Sequence, residues 1–160
     1  MLMPPNPPSS ALLQLGWREW VGLPQLGIPH LKAKLDTGAR TSALHAYYVR
    51  PFKRQGVGFV EFCLHPLQHR QDWSVTACAV VVDKRRVRDS GGHSESRFVI
   101  MTPLQVGSDC WDIEITLTNR DPMLFRLLLG RTALAGKITV DPSRSYQLGT
   151  HCLKPEITLL

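Results

Sequence analysis

Cysteine is scarce in this chain: Cys63, Cys78, Cys110 and Cys152 stand far apart, with no pair at short spacing. That pattern excludes a dense disulfide framework and a zinc ribbon, and it fits reduced thiols in a cytoplasmic protein. No stretch approaches the ~20 apolar residues of a membrane helix, so no membrane span is expected. The opening MLMPPNPPSSALLQLGW has no basic leader and is not expected to act as a secretory signal. A Walker-type glycine loop with lysine is absent, which leaves ATP binding by this chain without support, and so is a His-Glu-x-x-His helix. Aromatic residues make up only 8%. With no recognised nucleic-acid motif beside the positive charge, nucleic acid is not an expected partner.

What is present is a 160-residue chain with 43% hydrophobic content, enough for one ordinary core. Its 12 glycines and 12 prolines are scattered among short runs rich in valine, isoleucine and threonine. This predicts a mostly β architecture with many turns, helix being the minority. Nineteen Lys and Arg against thirteen Asp and Glu give a net charge of +6, a field that favours anionic partners. The densest cationic cluster is Lys84, Arg85, Arg86 and Arg88.

Residues 1 to 14 carry four of the prolines and almost no charge, and are expected to form a disordered or loosely docked tail before one domain over residues 15 to 160. Gly16 to Val21 reads as a first strand. Leu31 to Leu35 alternates apolar residues with lysine and runs into Asp36-Thr37-Gly38-Ala39. Thr41 to Tyr48 fits a helical turn or a continuing strand, Val57 to Leu64 a half-buried strand, and His65 to Asp72 a loop. Ser74 to Arg88 and Glu95 to Thr102 flank Asp89-Ser90-Gly91-Gly92-His93, whose double glycine suits a tight hairpin turn. Trp111 to Thr118 alternates, Met123 to Leu129 suits a fully buried strand, Arg131 to Ala135 gives one or two helical turns, and Ile138 to Val140 a last strand.

Asp36-Thr37-Gly38 closes an apolar-lysine strand and is answered downstream by Leu127-Leu128-Leu129-Gly130-Arg131-Thr132-Ala133-Leu134, an apolar strand turning at Gly-Arg into a short helix. Together with the Gly91-Gly92 hairpin between them, these segments resemble the retropepsin family. Its subunits carry an Asp-Thr-Gly-Ala turn, a glycine-rich flap and a Gly-Arg strand-to-helix turn in that order. The resemblance covers roughly residues 15 to 149, with Val57 to Ala79 looking like an insertion. WREWVGLPQLGIPHLKAKLDTGARTSALHA and VDPSRSYQLG are similar to stretches of the bacterial group labelled ATP-dependent zinc proteases, often encoded near ATP-grasp ligases that add glutamate. The resemblance implies an all-β, retropepsin-like closed barrel with one or two short helices, and a functional link to such a ligase.

Peptide hydrolysis by this route holds a water between two carboxyl groups, one ionised to accept its proton and one protonated to polarise the carbonyl. One Asp-Thr-Gly supplies half of that pair. With no second copy in the chain, a twofold homodimer joining two Asp36 residues is the economical completion. Asp36 is then the shared acid and base, the Thr37 hydroxyl resembles the family's brace between paired loops, and the Gly38 amide can hydrogen-bond the carboxylate. Ala39, Arg40, Arg85, Arg86, Gly91 and Gly92 are the candidate substrate-binding residues, with Gly130 and Arg131 as structural support. No cofactor is expected.

The sequence departs from the family at Arg40, which stands where an acidic residue usually pairs with the arginine of Gly-Arg. Arg131 must find another partner, with Glu19 and Asp141 as candidates. Arg40 and the cations of the flap strand suit carboxylates, so an acidic or glutamylated peptide is the expected substrate. Two rival readings stand beside this one. The first is a catalytically weak or inactive peptide-binding module of the same fold, acting with a ligase. The second is a zinc hydrolase using Cys63, His65 and His69, whose spacing is loose and lacks evident further ligands.

Overall fold

The computed structural model describes residues 11–67, 73–88, 91–119 and 125–149. Strand dominates: β1 (Leu13–Gly16), β2 (Arg18–Leu23), β3 (Ile28–Leu35), β4 (Ser42–His45), β5 (Tyr48–Arg54), β6 (Val57–Leu64), β7 (Val75–Arg88), β8 (Ser94–Val106), β9 (Asp109–Thr118), β10 (Leu127–Leu129) and β11 (Ile138–Asp141). The helical elements are a single 3-10 turn, Pro24–Leu26, and α1 (Arg131–Leu134). β1 begins at Leu13, two residues inside the stretch expected as tail, and pairs in parallel with β11. Residues 1–10 lie outside the described residues.

Nine strands form one sheet in the order β2-β3-β10-β4-β9-β8-β7-β6-β5. β2 also meets β8 through Gly22 opposite Gln105, so the first six strands of that order form a ring. Its closure rests on that one pair. The ring encloses the core because the strands alternate. On β3, Ile28, Leu31, Ala33 and Leu35 are buried while Lys32 and Lys34 point away. Leu44, Ile100, Leu104, Ile115, Leu127 and Leu129 meet them inside.

Three local readings are settled by tertiary pairing. Thr41 to Tyr48 becomes a strand, because β4 is sandwiched between antiparallel β10 and parallel β9. β10 spans only Leu127–Leu129, while residues 123 and 124 of the expected Met123 to Leu129 strand lie outside the described residues. The stretch expected as an insertion from Val57 pairs with chain upstream of it: β5 and β6 make a hairpin that docks on β7 from Val75 to Val80. Beyond that point β7 leaves β6 and pairs with β8, across an irregularity between Val81 and Asp83. The β7–β8 hairpin ends near Gly91 and Gly92, with Gly92 at φ +85. Asp89 and Ser90 lie outside the described residues.

Candidate active site

β10 runs between β3 and β4, parallel to the first and antiparallel to the second, so the chain from β3 to β4 must pass around its end. That connection is the Asp36 turn. The Asp36 amide donates to the Leu129 carbonyl (2.8 Å), extending the β3–β10 ladder by one residue. The Gly38 amide then donates to Asp36 Oδ1 (2.9 Å). Among the described residues Oδ2 has no protein partner, and the side chain is only partly buried. Thr37, Gly38 and Arg40 are exposed and Ala39 is partly so.

The start of α1 braces this turn. The Arg131 amide donates to the Ala39 carbonyl (2.8 Å) and the Thr132 amide to the Arg40 carbonyl (3.0 Å). Arg131 Nη1 reaches the Thr37 carbonyl (3.1 Å), which corrects the expected pairing with Glu19 or Asp141. Those two acids are engaged elsewhere, Glu19 by the amides of Gly16, Gln147 and Leu148, and Asp141 by Ser143 and Arg144. Gly130 is required by proximity: a Cβ there would lie 2.6 Å from the Thr41 carbonyl oxygen. Its amide donates to Ser42 Oγ (3.1 Å), and the Ser42 carbonyl accepts from Thr116 Oγ1 (3.0 Å). Sequence reading did not single out Ser42 and Thr116. Both are small hydroxyl residues inside apolar strands, a signal that many unrelated buried sites share.

Register shows what lies on the same side of the sheet as Asp36, since residues paired on neighbouring strands point the same way. Lys34, two residues before Asp36, is level with Arg18 on β2 and Leu128 on β10. The row continues through Ala43, Thr116, Val99 and Asp83. Two residues along, His45 pairs with Thr118 and Arg97 with Arg85. The face that carries Asp36 is therefore rich in cations.

Not all of them are available. Arg85 is held by Asp83 (2.6 Å) and Glu114 (2.7 Å), and Arg97 by Glu95 (2.5 Å). The Arg85 guanidinium and the Lys84 amide together hold the Asp83 carboxyl below the usual carboxylate range. Arg86, by alternation, lies on the opposite side of the hairpin and is exposed. Arg18 is flanked by the rings of Trp17 and Tyr146, 4.6 and 4.9 Å from their centroids. Among the described residues, Lys34 and Arg40 make no ion pair. The register thus brings Arg18 and Lys34 to the side of the candidate turn; the alternation of lysine with apolar residues before Asp36 was the signal for Lys34, whereas Arg18 enters only through pairing of β2 with β3.

Of the zinc candidates, Cys63 and His65 are engaged with other groups. Cys63 Sγ meets Thr76 Oγ1 (3.3 Å), while His65 Nδ1 meets the Trp73 carbonyl (3.1 Å) and its ring stacks on Tyr47. His69 lies outside the described residues. Among those residues no three His, Cys, Asp or Glu side chains cluster as metal ligands. No helix is long and apolar enough to cross a membrane, again among the described residues.

The family model described as "Retropepsin-like aspartic endopeptidase RimB" matches residues 14–151. The chain belongs to this RimB-like family. Its all-β architecture is the retropepsin-like one, with the β5–β6 hairpin lying between β4 and β7. The unit matches part of a protein named "Probable alpha-L-glutamate ligase" in Shewanella pealeana, 48% identical over 135 residues, 84% of this chain and 30% of the relative. A relative of the same name in Desulfotalea psychrophila is 46% identical over 84% of this chain and 29% of its own length. The chain thus spans about a third of the curated relatives it matches. Among solved structures, Lpg0085 of Legionella pneumophila, a protein titled as of unknown function, superposes with a TM-score of 0.72 at 26% identity. The match covers 85% of this chain and 98% of that one.

Proposed function

We propose that this RimB-like chain is one subunit of a homodimeric aspartic endopeptidase that cleaves acidic or glutamylated peptides through an Asp36–Asp36 dyad. The observation that carries this is the Asp36 turn. A family-typical Asp-Thr-Gly is locked by backbone bonds from Leu129, Arg131 and Thr132, yet one carboxyl oxygen is left without a protein partner among the described residues. In the dimer one carboxylate takes a proton from a bound water as its oxygen attacks the peptide carbonyl. The other, protonated, carboxyl hydrogen-bonds that carbonyl oxygen, and a proton then passes to the departing amine. Like charges this close share one proton and titrate as a pair, the behaviour for which aspartic proteases are the standard example. The acidic preference is supported by Lys34, Arg18 and Arg40 around the turn.

The test is hydrolysis of matched peptides with and without added glutamates. Wild-type protein should cleave the acidic peptide faster, Asp36→Asn should cleave neither, and Arg40→Glu should impair the acidic one selectively. Equal loss on the neutral peptide would remove the acidic preference while leaving the dyad standing.

A second reading is favoured by one observation, that the unit forms about a third of proteins named as glutamate ligases. The chain would then serve a ligase as a peptide-binding module with weak or no cleavage. Asp36→Asn discriminates: binding of the acidic peptide survives in either case, and a wild-type protein with no hydrolysis to lose leaves the module.

A further inference from the structure

The side of the sheet that carries Asp36 has a region where cations and aromatic rings alternate. On β2 and β3, Arg18 stands level with Lys34 and Trp20 with Lys32, all on the outer side, while Glu19, Val21, Leu31 and Ala33 are buried on the inner one. Tyr146, from the segment after β11, lies against this row. Its ring stacks on Trp20 with centroids 6.3 Å apart, and Lys32 Nζ lies 5.1 Å from the Trp20 centroid and 5.7 Å from that of Tyr146. Arg18, between Trp17 and Tyr146, also donates through Nε to Ser145 Oγ (3.2 Å). Tyr146 takes φ +53 and its amide donates to the Arg18 carbonyl (2.9 Å), so a strained backbone is kept where it sets a ring among the cations. Among the described residues Arg18, Lys32 and Lys34 make no ion pair.

Three properties of this strip select its ligand. Cations left without acids call for an anion. The rings hold the Arg18 and Lys32 head groups in place, which lowers the entropy lost when flexible side chains are fixed on a ligand. The ring faces are engaged by those cations and by each other, so they are not the open platforms on which nucleic-acid bases stack. The spacing, finally, is that of an extended peptide. Lys34 is two residues and Lys32 four residues before Asp36 on one side of β3, roughly 7 and 13 Å along the strand, and an extended peptide presents its own side chains on one side at the same two-residue repeat.

We infer that the outer side of β2 and β3 is a subsite that reads acidic side chains at alternate positions of a peptide. Lys34 with Arg18 binds one carboxylate, and Lys32, held by Trp20 and Tyr146, binds the carboxylate two residues farther from Asp36. The inference rests on the proposed acidic preference and adds a spacing to it: two acids separated by one residue engage the whole strip, whereas two acids separated by two residues point to opposite sides of an extended peptide and engage only half of it.

The probes are two fluorescein-labelled peptides of one composition, neutral except for two glutamates set as Glu-x-Glu or Glu-x-x-Glu, and a third with glutamine at both positions. Binding to the full Asp36→Asn chain, read by fluorescence anisotropy, separates recognition from cleavage. The Glu-x-Glu peptide should bind about threefold more tightly than Glu-x-x-Glu. That ratio should fall to about one in a chain that also carries Lys32→Gln and survive in one that carries Lys32→Arg. Should the Lys32→Gln chain fail to fold, Lys34→Gln carries the same expectation. Equal binding of the two spacings, or an unchanged ratio in Lys32→Gln, overturns the inference; the acidic preference then stands by itself as long as both bind more tightly than the glutamine peptide. If neither does, the acidic preference and the subsite fall together. A single-stranded oligothymidylate that binds more tightly than the Glu-x-Glu peptide and is lost in Lys32→Gln gives the strip to nucleic acid, and that too overturns the inference. Hydrolysis of the same peptides by wild type keeps the dyad separate: a spacing preference without cleavage loses only the dyad, and cleavage without a spacing preference loses only the subsite.

Discussion

Two acids of this chain are treated in opposite ways. Glu19 on β2 is fully buried, and its two oxygens accept from the backbone amides of Gly16 (2.8 Å), Gln147 (2.9 Å) and Leu148 (3.0 Å). Asp36 on the loop after β3 is half-buried and accepts only from Gly38 within the described residues. The first carboxyl group is saturated and fastens the segment after β11 against β2; Tyr146 sits there at φ +53, a conformation a non-glycine residue keeps only when its surroundings impose it. The second is held by its backbone while its side chain is left with bonding capacity to spare. In the proposed enzyme, stability and chemistry are assigned to different carboxyl groups, and each can be altered without touching the other.

The largest expected effect falls on the reacting side of that comparison. Asp36→Asn keeps the shape and the Gly38 contact but removes the proton acceptor, so hydrolysis should fall on the order of 10³-fold or more while the urea midpoint stays put. A large loss of stability would show instead that Asp36, like Glu19, is a structural acid. The converse substitution, Glu19→Ala, leaves one buried and two part-buried amides without their acceptor and should cost about 3 kcal/mol in urea unfolding. Glu19→Gln, which turns one donor toward a donor, should cost about 1–2 kcal/mol. If either left stability unchanged, the segment around Tyr146 would be held by its ring stacking with Arg18 and Trp20 rather than by Glu19.

Between these extremes lies the brace. Gly130→Ala forces a Cβ against the Thr41 carbonyl, a contact between two backbones with little room to give, and should cost about 1–3 kcal/mol. Arg131→Gln removes the guanidinium bond to the Thr37 carbonyl at a partly exposed site. It should lower stability by no more than about 1 kcal/mol but lower the rate of hydrolysis by more than that loss explains, since it loosens the turn that aims Asp36. Equal behaviour of Arg131→Gln and wild type in the peptidase assay would reduce the brace to Gly130 and the α1 amides.

Much of this was legible in residue order. The lysine alternation before Asp36 gave β3 its two faces, and Gly91-Gly92 marked the hairpin. Leu127 to Leu134 gave the strand-to-helix turn, because in each case the information lies within a few neighbouring residues. β5 was not legible: Tyr48–Arg54 carries a proline and three cations, and it is a strand only because β6 pairs with it on one side. The contacts of Glu19 with Gln147 and Leu148 span 128 and 129 residues, and nothing local foretells them. Arg131 shows the same limit in reverse. A buried arginine seemed to demand an acid, but a backbone carbonyl at the surface of the turn satisfies it, so the charge-pairing rule chose the wrong partner. Arg85 was expected to bind substrate from its place on the flap strand, without regard to Asp83 two residues away or to Glu114, which enters only through β9.

The smallest expected effect concerns that last cluster, and its sign follows from the depressed Asp83 carboxyl. The cause is the Arg85 guanidinium first and the Lys84 amide second, both of which favour the charged form. A group whose folded value lies below its unfolded one adds stability that is complete above the unfolded value and disappears as pH falls through the folded one. The contribution of the Arg85 cluster should therefore be constant near neutrality and fade only in strong acid. Arg85, Asp83 and Glu114 are all more than a third exposed, so water and salt screen the pairing. Arg85→Met should lower the urea midpoint only slightly at pH 7, less still at high salt, and not at all once Asp83 and Glu114 are protonated. It should also leave the acidic preference of hydrolysis in place, because Lys34 and Arg40 beside Asp36 have no acid of their own among the described residues. Loss of that preference in Arg85→Met would mean that the ion pairs open for the substrate, and would move acidic recognition from the Asp36 turn to the β7–β8 hairpin.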